Sequence, residues 1–216
     1  MKFELLIRNA TLIDGTRAPR FEADIGVSSG KIFSIGSLTN SKANVEIDAS
    51  GKIAAPGFID AHTHDDRLML SAPDMAPKVS QGVTTVVAGN CGVSLAPAPR
   101  GMPKPVTPPL DLMDSEGTWF HFKSFREYVE ALRAQPPATN CALLVGHSML
   151  RVQTMDDLEK PASPREISSM RSMVDEALAA GAIGFSTSSI VCRRSMVWPT
   201  SSAQLVAGGC ERNAST

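Results

Sequence analysis

The chain has 216 residues, 43% of them apolar, and its 21 Lys and Arg set against 22 Asp and Glu leave a formal net charge of −1. That balance excludes a disordered or fibrous chain and lacks the basic excess of a general nucleic-acid binder. Purely apolar runs such as Cys141–Val145 are about five residues long, whereas a membrane-spanning helix needs about 20. The N-terminus MKFELLIRNATLIDG also lacks the apolar core of a secretory signal. Neither nucleic acid nor membrane is therefore expected as a partner. Cys91, Cys141, Cys192 and Cys210 show no pairing framework, so they read as reduced thiols or metal ligands of a cytoplasmic protein.

Taken in chain order, the first 55 residues read as a small β module. Phe3–Ile7, Ala23–Val27, Lys31–Ile35 and Val45–Ile47 are short and rich in β-branched residues. Turn signals separate them at Asp14-Gly15, Ser28-Ser29-Gly30 and Ser50-Gly51, where glycine supplies positive φ. No His or Cys precedes residue 62, and nothing in this stretch looks catalytic.

From residue 56 the period changes. Gly57–His64, Val83–Gly89, Cys141–Val145 and Ala182–Phe185 are fairly continuously apolar, as strands buried on both faces of a parallel sheet would be. Ser124 and Glu127 form a capping box that opens a helix running to about Arg133, stopped by Pro136-Pro137. Ser163 and Glu166 repeat the device with Pro164 at the first helical position. Ile167, Met170, Val174, Ala177 and Leu178 follow at helical spacing, and Gly181 ends the helix. Alternating strands and helices predict an α/β fold of βα units. Ala96–Asp114, with six prolines, reads as a loop over the sheet's C-terminal edge.

Chemistry-bearing residues gather at the predicted strand ends, where parallel α/β folds keep their active sites. His62 and His64, two apart at the C-terminal end of the first of these strands, share one face, a spacing that suits a divalent metal. Asp65 and Asp66 follow at once and are placed to orient ligating imidazoles. Cys91, flanked by Gly89 and Gly92, is either a buried small hydrophobe or a thiolate metal ligand. Cys141 starts an apolar run and reads as a core residue. His147 ends the third predicted strand, either as a metal or substrate contact or simply as a cap of the barrel mouth. His121, in a polar loop, is assigned nothing.

Together these segments form a recognisable set. Residues 56–64, PGFIDAHTH, resemble the signature of the amidohydrolase superfamily. His62-Thr63-His64-Asp65-Asp66, Gly89-Asn90-Cys91-Gly92, Gly146-His147-Ser148 with Leu150-Arg151, and residues 181–187 (GAIGFST) together resemble the N-acyl-D-amino-acid deacylase (D-aminoacylase) family. The likeness runs from residue 1 to about residue 187. It implies a (β/α)8 TIM-like metallo-hydrolase barrel beside a β-sandwich built from both chain termini. It also implies a tight zinc held by Cys91 and two later histidines, with His62 and His64 at an adjacent, weaker metal position. His147 stays the candidate substrate-binding residue. The general base would be a later aspartate, and the substrate an N-acyl-D-amino acid hydrolysed to a carboxylate and a D-amino acid.

No His follows His147 and no Asp follows Asp175, and a (β/α)8 barrel takes typically about 250 residues. The expected organisation is therefore partial. Residues 1–55 form the β-sandwich part, 56–187 the first four βα units, and 188–216 an aberrant tail. A shift of reading frame just after Thr187 would account for that tail. The single codons of Met196 and Trp198 place a glycine in the shifted frame, and the neighbouring codons permit a barrel-like continuation. Such a chain is expected to be a fragment with little or no activity of its own. The alternatives are another amidohydrolase, dihydropyrimidinase-like or an N-acetylsugar deacetylase, and a non-catalytic interaction protein.

Overall fold

A computed structural model describes residues 2–99, 110–158 and 160–187. The tail at 188–216, with Cys192 and Cys210, lies outside the described residues, as does 100–109 of the proline-rich stretch. The chain divides into two compact units, Met1–Gly57 and the residues from Phe58 onward.

The first unit is one mixed sheet. Its strands are β1 (Lys2–Leu12), β2 (Phe21–Ser28), β3 (Lys31–Gly36), β4 (Lys42–Asp48) and the short β5 (Ile53–Ala54). The order is β3-β2-β1-β4, with β5 also on β1. Antiparallel pairs join β1 to β2 and β2 to β3, whereas β4 and β5 lie parallel to β1. Ser29 and Gly30, at φ +52° and +69°, make the two-residue hairpin between β2 and β3. Two left-handed residues give the backbone twist that matches the flanking strands. Ala10, Leu12, Ile25 and Ala49 form its small core.

The second unit alternates strands with helices: β6 (Phe58–Asp60), α1 (Leu68–Ser71), α2 (Ala76–Val79), β7 (Val83–Ala88), α3 (Phe125–Ala134), β8 (Asn140–Gly146), α4 (His147–Thr154), α5 (Pro164–Ala180) and β9 (Gly184–Ser186). The four strands are parallel and lie in the order β6-β7-β8-β9. Sequential parallel order with helical crossovers is the arrangement of half a (β/α) barrel. Both predicted N-caps form. Ser163 and Glu166 bond reciprocally, completing that capping box. Ser124 accepts from the Glu127 amide, but the Glu127 carboxylate reaches one residue further back, to the Lys123 amide at 2.7 Å. α3 buries Phe125, Tyr128, Val129 and Leu132, one stripe at i, i+3, i+4 and i+7. Gly181 closes α5 at φ +116°.

Two expectations need correction, and one position of α5 faces outward. The strand expected over Gly57–His64 ends at Asp60, so both histidines lie beyond it. Cys141 is exposed. It is the second residue of β8, at the open N-terminal end of the strand, and helps line a cavity of about 510 Å³ with Val129, Leu132 and Ala180. Leu178 is 46% exposed because the buried stripe of α5 runs through Met170, Ala177 and Ala180.

Candidate metal centre

The segment that carries the two histidines is set by the residue between them. Thr63 is buried and doubly tied to β7, its amide donating to Val87 O (3.0 Å) and its hydroxyl to the same oxygen (2.9 Å). One sheet-like step therefore continues past β6. With Thr63 turned into the sheet, His62 and His64 are left on the other side, their ring centroids 5.9 Å apart at 72°. Lys78 straps this segment at both ends, pairing with Asp60 at 2.8 Å and Asp65 at 3.0 Å. Burial pulls the Lys78 ammonium down, but its bonds to the two carboxylates outweigh that and raise it. The bond from Lys78 holds Asp60 below the usual carboxylate range.

Neither neighbouring aspartate is bonded to an imidazole, contrary to the expected orienting role. Asp65 turns to Lys78. Asp66 is buried and accepts from the Gly89 amide at 3.0 Å, joining the histidine segment to the cysteine loop. Burial is the main force on the Asp66 carboxyl, pushing it up to about 7.

The cysteine loop follows β7. Gly89, Cys91 and Gly92 all have left-handed backbones, at φ +80°, +55° and +77°. Glycine is required at 89, because a Cβ there would collide with the backbone carbonyl of Leu144. Asn90 anchors the loop by donating its side-chain amide to Val87 O (2.8 Å) and Thr63 O (3.3 Å). The result puts Cys91 Sγ 3.1 Å from His62 Nε2. One ligand atom from each of His62, His64 and Cys91 lies within 4.8 Å of the others. His64 Nδ1 is buried without a hydrogen-bond partner. Burial, then the neighbouring His62, lowers the His64 pKa and favours the neutral imidazole that a metal needs.

Two imidazoles and a thiol are the donor types that suit zinc. Zinc bonds of about 2.0–2.3 Å at tetrahedral angles separate ligand atoms by roughly 3.3–3.8 Å; here Sγ and Nε2 stand 3.1 Å apart and all three ligand atoms lie within 4.8 Å of one another. The donor set and the orphaned His64 nitrogen therefore fit a zinc ion.

His147 stands outside this trio. It opens α4 and is 4% exposed, with Nδ1 3.2 Å from Thr187 Oγ1. Burial, aided by the Arg151 charge, lowers its pKa to about 4. Beside His64 a cavity of about 290 Å³ is walled by Arg67, Ser71, Asp111 and Asp114. Sequence reasoning misses Lys78 and the loop-holding role of Asp66. An acidic pair after H-x-H signals polar support but not its direction. A single lysine in a short helix carries no signal of its own, and Lys78 is identified only by its contacts with Asp60 and Asp65.

Residues 45–208 match a model of the amidohydrolase family. The D-aminoacylase of Alcaligenes xylosoxydans xylosoxydans is 51% identical over 185 residues, 86% of this chain and 37% of that protein. A solved D-aminoacylase, studied for the functional role of its binuclear metal center, superposes with a TM-score of 0.84 at 50% identity, covering 89% of this chain and 40% of the other. The N-acyl-D-glutamate deacylase of Bordetella bronchiseptica was solved with zinc and a phosphonate mimic of the tetrahedral intermediate. It gives a TM-score of 0.79 at 47% identity, over 87% of this chain and 38% of that one. The chain thus spans a little over a third of the length of the D-aminoacylase it matches. With the family match covering most of its residues, the chain belongs to the amidohydrolase family.

Proposed function

We propose that these residues are the metal-binding part of a zinc-dependent hydrolase that cleaves the amide bond of N-acyl-D-amino acids. The observation that carries this reading is the meeting of Cys91, His62 and His64, with Sγ and Nε2 3.1 Å apart. The likeness to D-aminoacylase and N-acyl-D-glutamate deacylase supplies the substrate class. Zinc, when bound, lowers the pKa of water towards about 7 and polarises the amide carbonyl. Cys91 belongs to the tight position, which further histidines would complete, and His62 and His64 to a second, weaker position beside it. Asp66 and Lys78 fix the two segments that carry them. His147, neutral at physiological pH, contacts the substrate. A reduced Cys91 needs a reducing compartment, so the cytoplasm is the proposed location. Among the described residues no helix is long and apolar enough to cross a membrane.

The general base and the remaining metal ligands are proposed to lie outside this chain's residues, since no His follows His147 and no Asp follows Asp175. Zinc content after dialysis, measured on the 216-residue chain, tests the metal reading. Zinc should be retained by the wild type and lost in His62→Ala and Cys91→Ala, and a wild type without zinc would sink the reading. Hydrolysis of N-acetyl-D-methionine by the same preparation is expected to be slow. Turnover at an ordinary enzyme rate of about 10 per second would show that the chain needs no further residues.

A further inference from the structure

Ser186 ends β9, yet its side chain acts two strands away. β9 pairs with β8, placing Ser186 opposite Gly146. The Ser186 hydroxyl passes beyond β8 to the loop after β7, where it donates to Gly89 O and accepts from the Gly92 amide at 2.9 Å. These are the first and fourth residues of the turn that carries Cys91. A four-residue turn is often closed by a bond from the first carbonyl to the fourth amide. Here one hydroxyl engages both groups, so it sets the width of the turn.

The surroundings keep this link in place. Gly146 permits the approach, because a Cβ there would collide with the backbone carbonyl of Gly92. Gly92 O accepts from the Ser148 amide at 2.8 Å, and Asn90 O from the Val93 amide at 2.9 Å. Cys91 itself is held at φ +55°, a conformation that a non-glycine residue keeps only when its neighbours enforce it. Without the Ser186 hydroxyl, Gly89 O and Gly92 N either lose their partner or close directly on each other. Both outcomes move Cys91 Sγ relative to His62 Nε2.

We propose that Ser186 is a positioning residue for the metal centre, its hydroxyl setting the Gly89–Gly92 turn so that the Cys91 thiolate faces the two imidazoles. This inference rests on the proposed ligation of a metal by Cys91, and its test separates the two. The probe is Co2+ titrated into the 216-residue chain, read by the thiolate-to-cobalt charge-transfer absorption. Groups that orient metal ligands are typically worth 10–100-fold in affinity, so Ser186→Ala should bind Co2+ at least about tenfold more weakly. Its charge-transfer band per bound cobalt should also change, a signature that a general loss of stability does not produce. Ser186→Thr, which keeps the hydroxyl, should restore both. Equal affinity and an identical band in Ser186→Ala would overturn the positioning role.

If Ser186→Ala does not fold, Ser186→Thr decides: a folded threonine variant lacking the band overturns the role of the hydroxyl, and an intact band upholds it. A wild type that binds no cobalt, or binds it without the band, would instead overturn ligation by Cys91. Alkylation of Cys91 by iodoacetamide then decides the positioning role without metal, in a Cys141→Ser, Cys192→Ser, Cys210→Ser background. Ser186→Ala should react several-fold faster, and an unchanged rate overturns the proposal.

Discussion

At the scale of single residues, the cysteine loop depends on backbone geometry that few side chains permit. Gly89 combines a left-handed φ with contact against Leu144 O, so Gly89→Ala should cost about 3 kcal/mol or more. Gly181 is also left-handed but has open space around its missing Cβ. Gly181→Ala should therefore cost only about 1 kcal/mol. Urea denaturation of the two variants checks the contrast. His147 makes a second residue-scale prediction. Its folded pKa of about 4 lies below the unfolded value near 6.5, so the unfolded chain takes up a proton first as pH falls. The resulting stability is fully present above about pH 6.5 and is lost progressively between there and about pH 4. The shift corresponds to roughly 3 kcal/mol at most. His147→Gln should lose less stability than the wild type between about pH 7 and about pH 4.5, the difference being read from paired denaturation curves.

At the scale of elements, the helices are legible because their signals are local. Ser124, Ser163, Pro164 and Gly181 each occupy the terminal position that the sequence predicts. Ser163→Ala should cost about 1 kcal/mol, chiefly through α5, as measured by thermal denaturation. The short β6 is less legible. Residues 56–64 look like one apolar strand, but only Phe58–Asp60 pairs as one, and the path of the chain beyond it is governed by Thr63 bonding to Val87. Cys141 is misread from sequence because residue type and neighbours do not reveal where α3 and α5 stop covering β8. Of the site, His62, His64 and Cys91 stand out by residue type and position. Lys78 and Ser186 do not, because their roles depend on partners brought near only by the assembled sheet.

At the scale of the whole molecule, apolar surface is the dominant feature. Phe58 and Ile59 on β6 and Ile183 before β9 are each more than 60% exposed, and in the first unit Ile32, Phe33 and Val45 are more than half exposed. Apolar patches and open strand edges favour association. The 216-residue chain should therefore self-associate with rising concentration and bind a dye that reports exposed apolar surface. Sedimentation velocity over a range of concentrations checks this, and Phe58→Ser with Ile59→Thr should lower the associating fraction. A chain that stays monomeric throughout would count against this view of the surface.

The sequential strand order has a consequence in time. His62 and Cys91 are 29 positions apart, whereas Ser186 lies 94 positions beyond Gly92. At a synthesis rate of about 5–20 residues per second, the thiol follows the imidazole off the ribosome by roughly 1.5–6 s, and the serine follows several-fold later still. Through that interval the nascent cysteine loop lacks its hydroxyl clamp. The turn that carries the thiol therefore takes its final width only when the last of the four strands has been made.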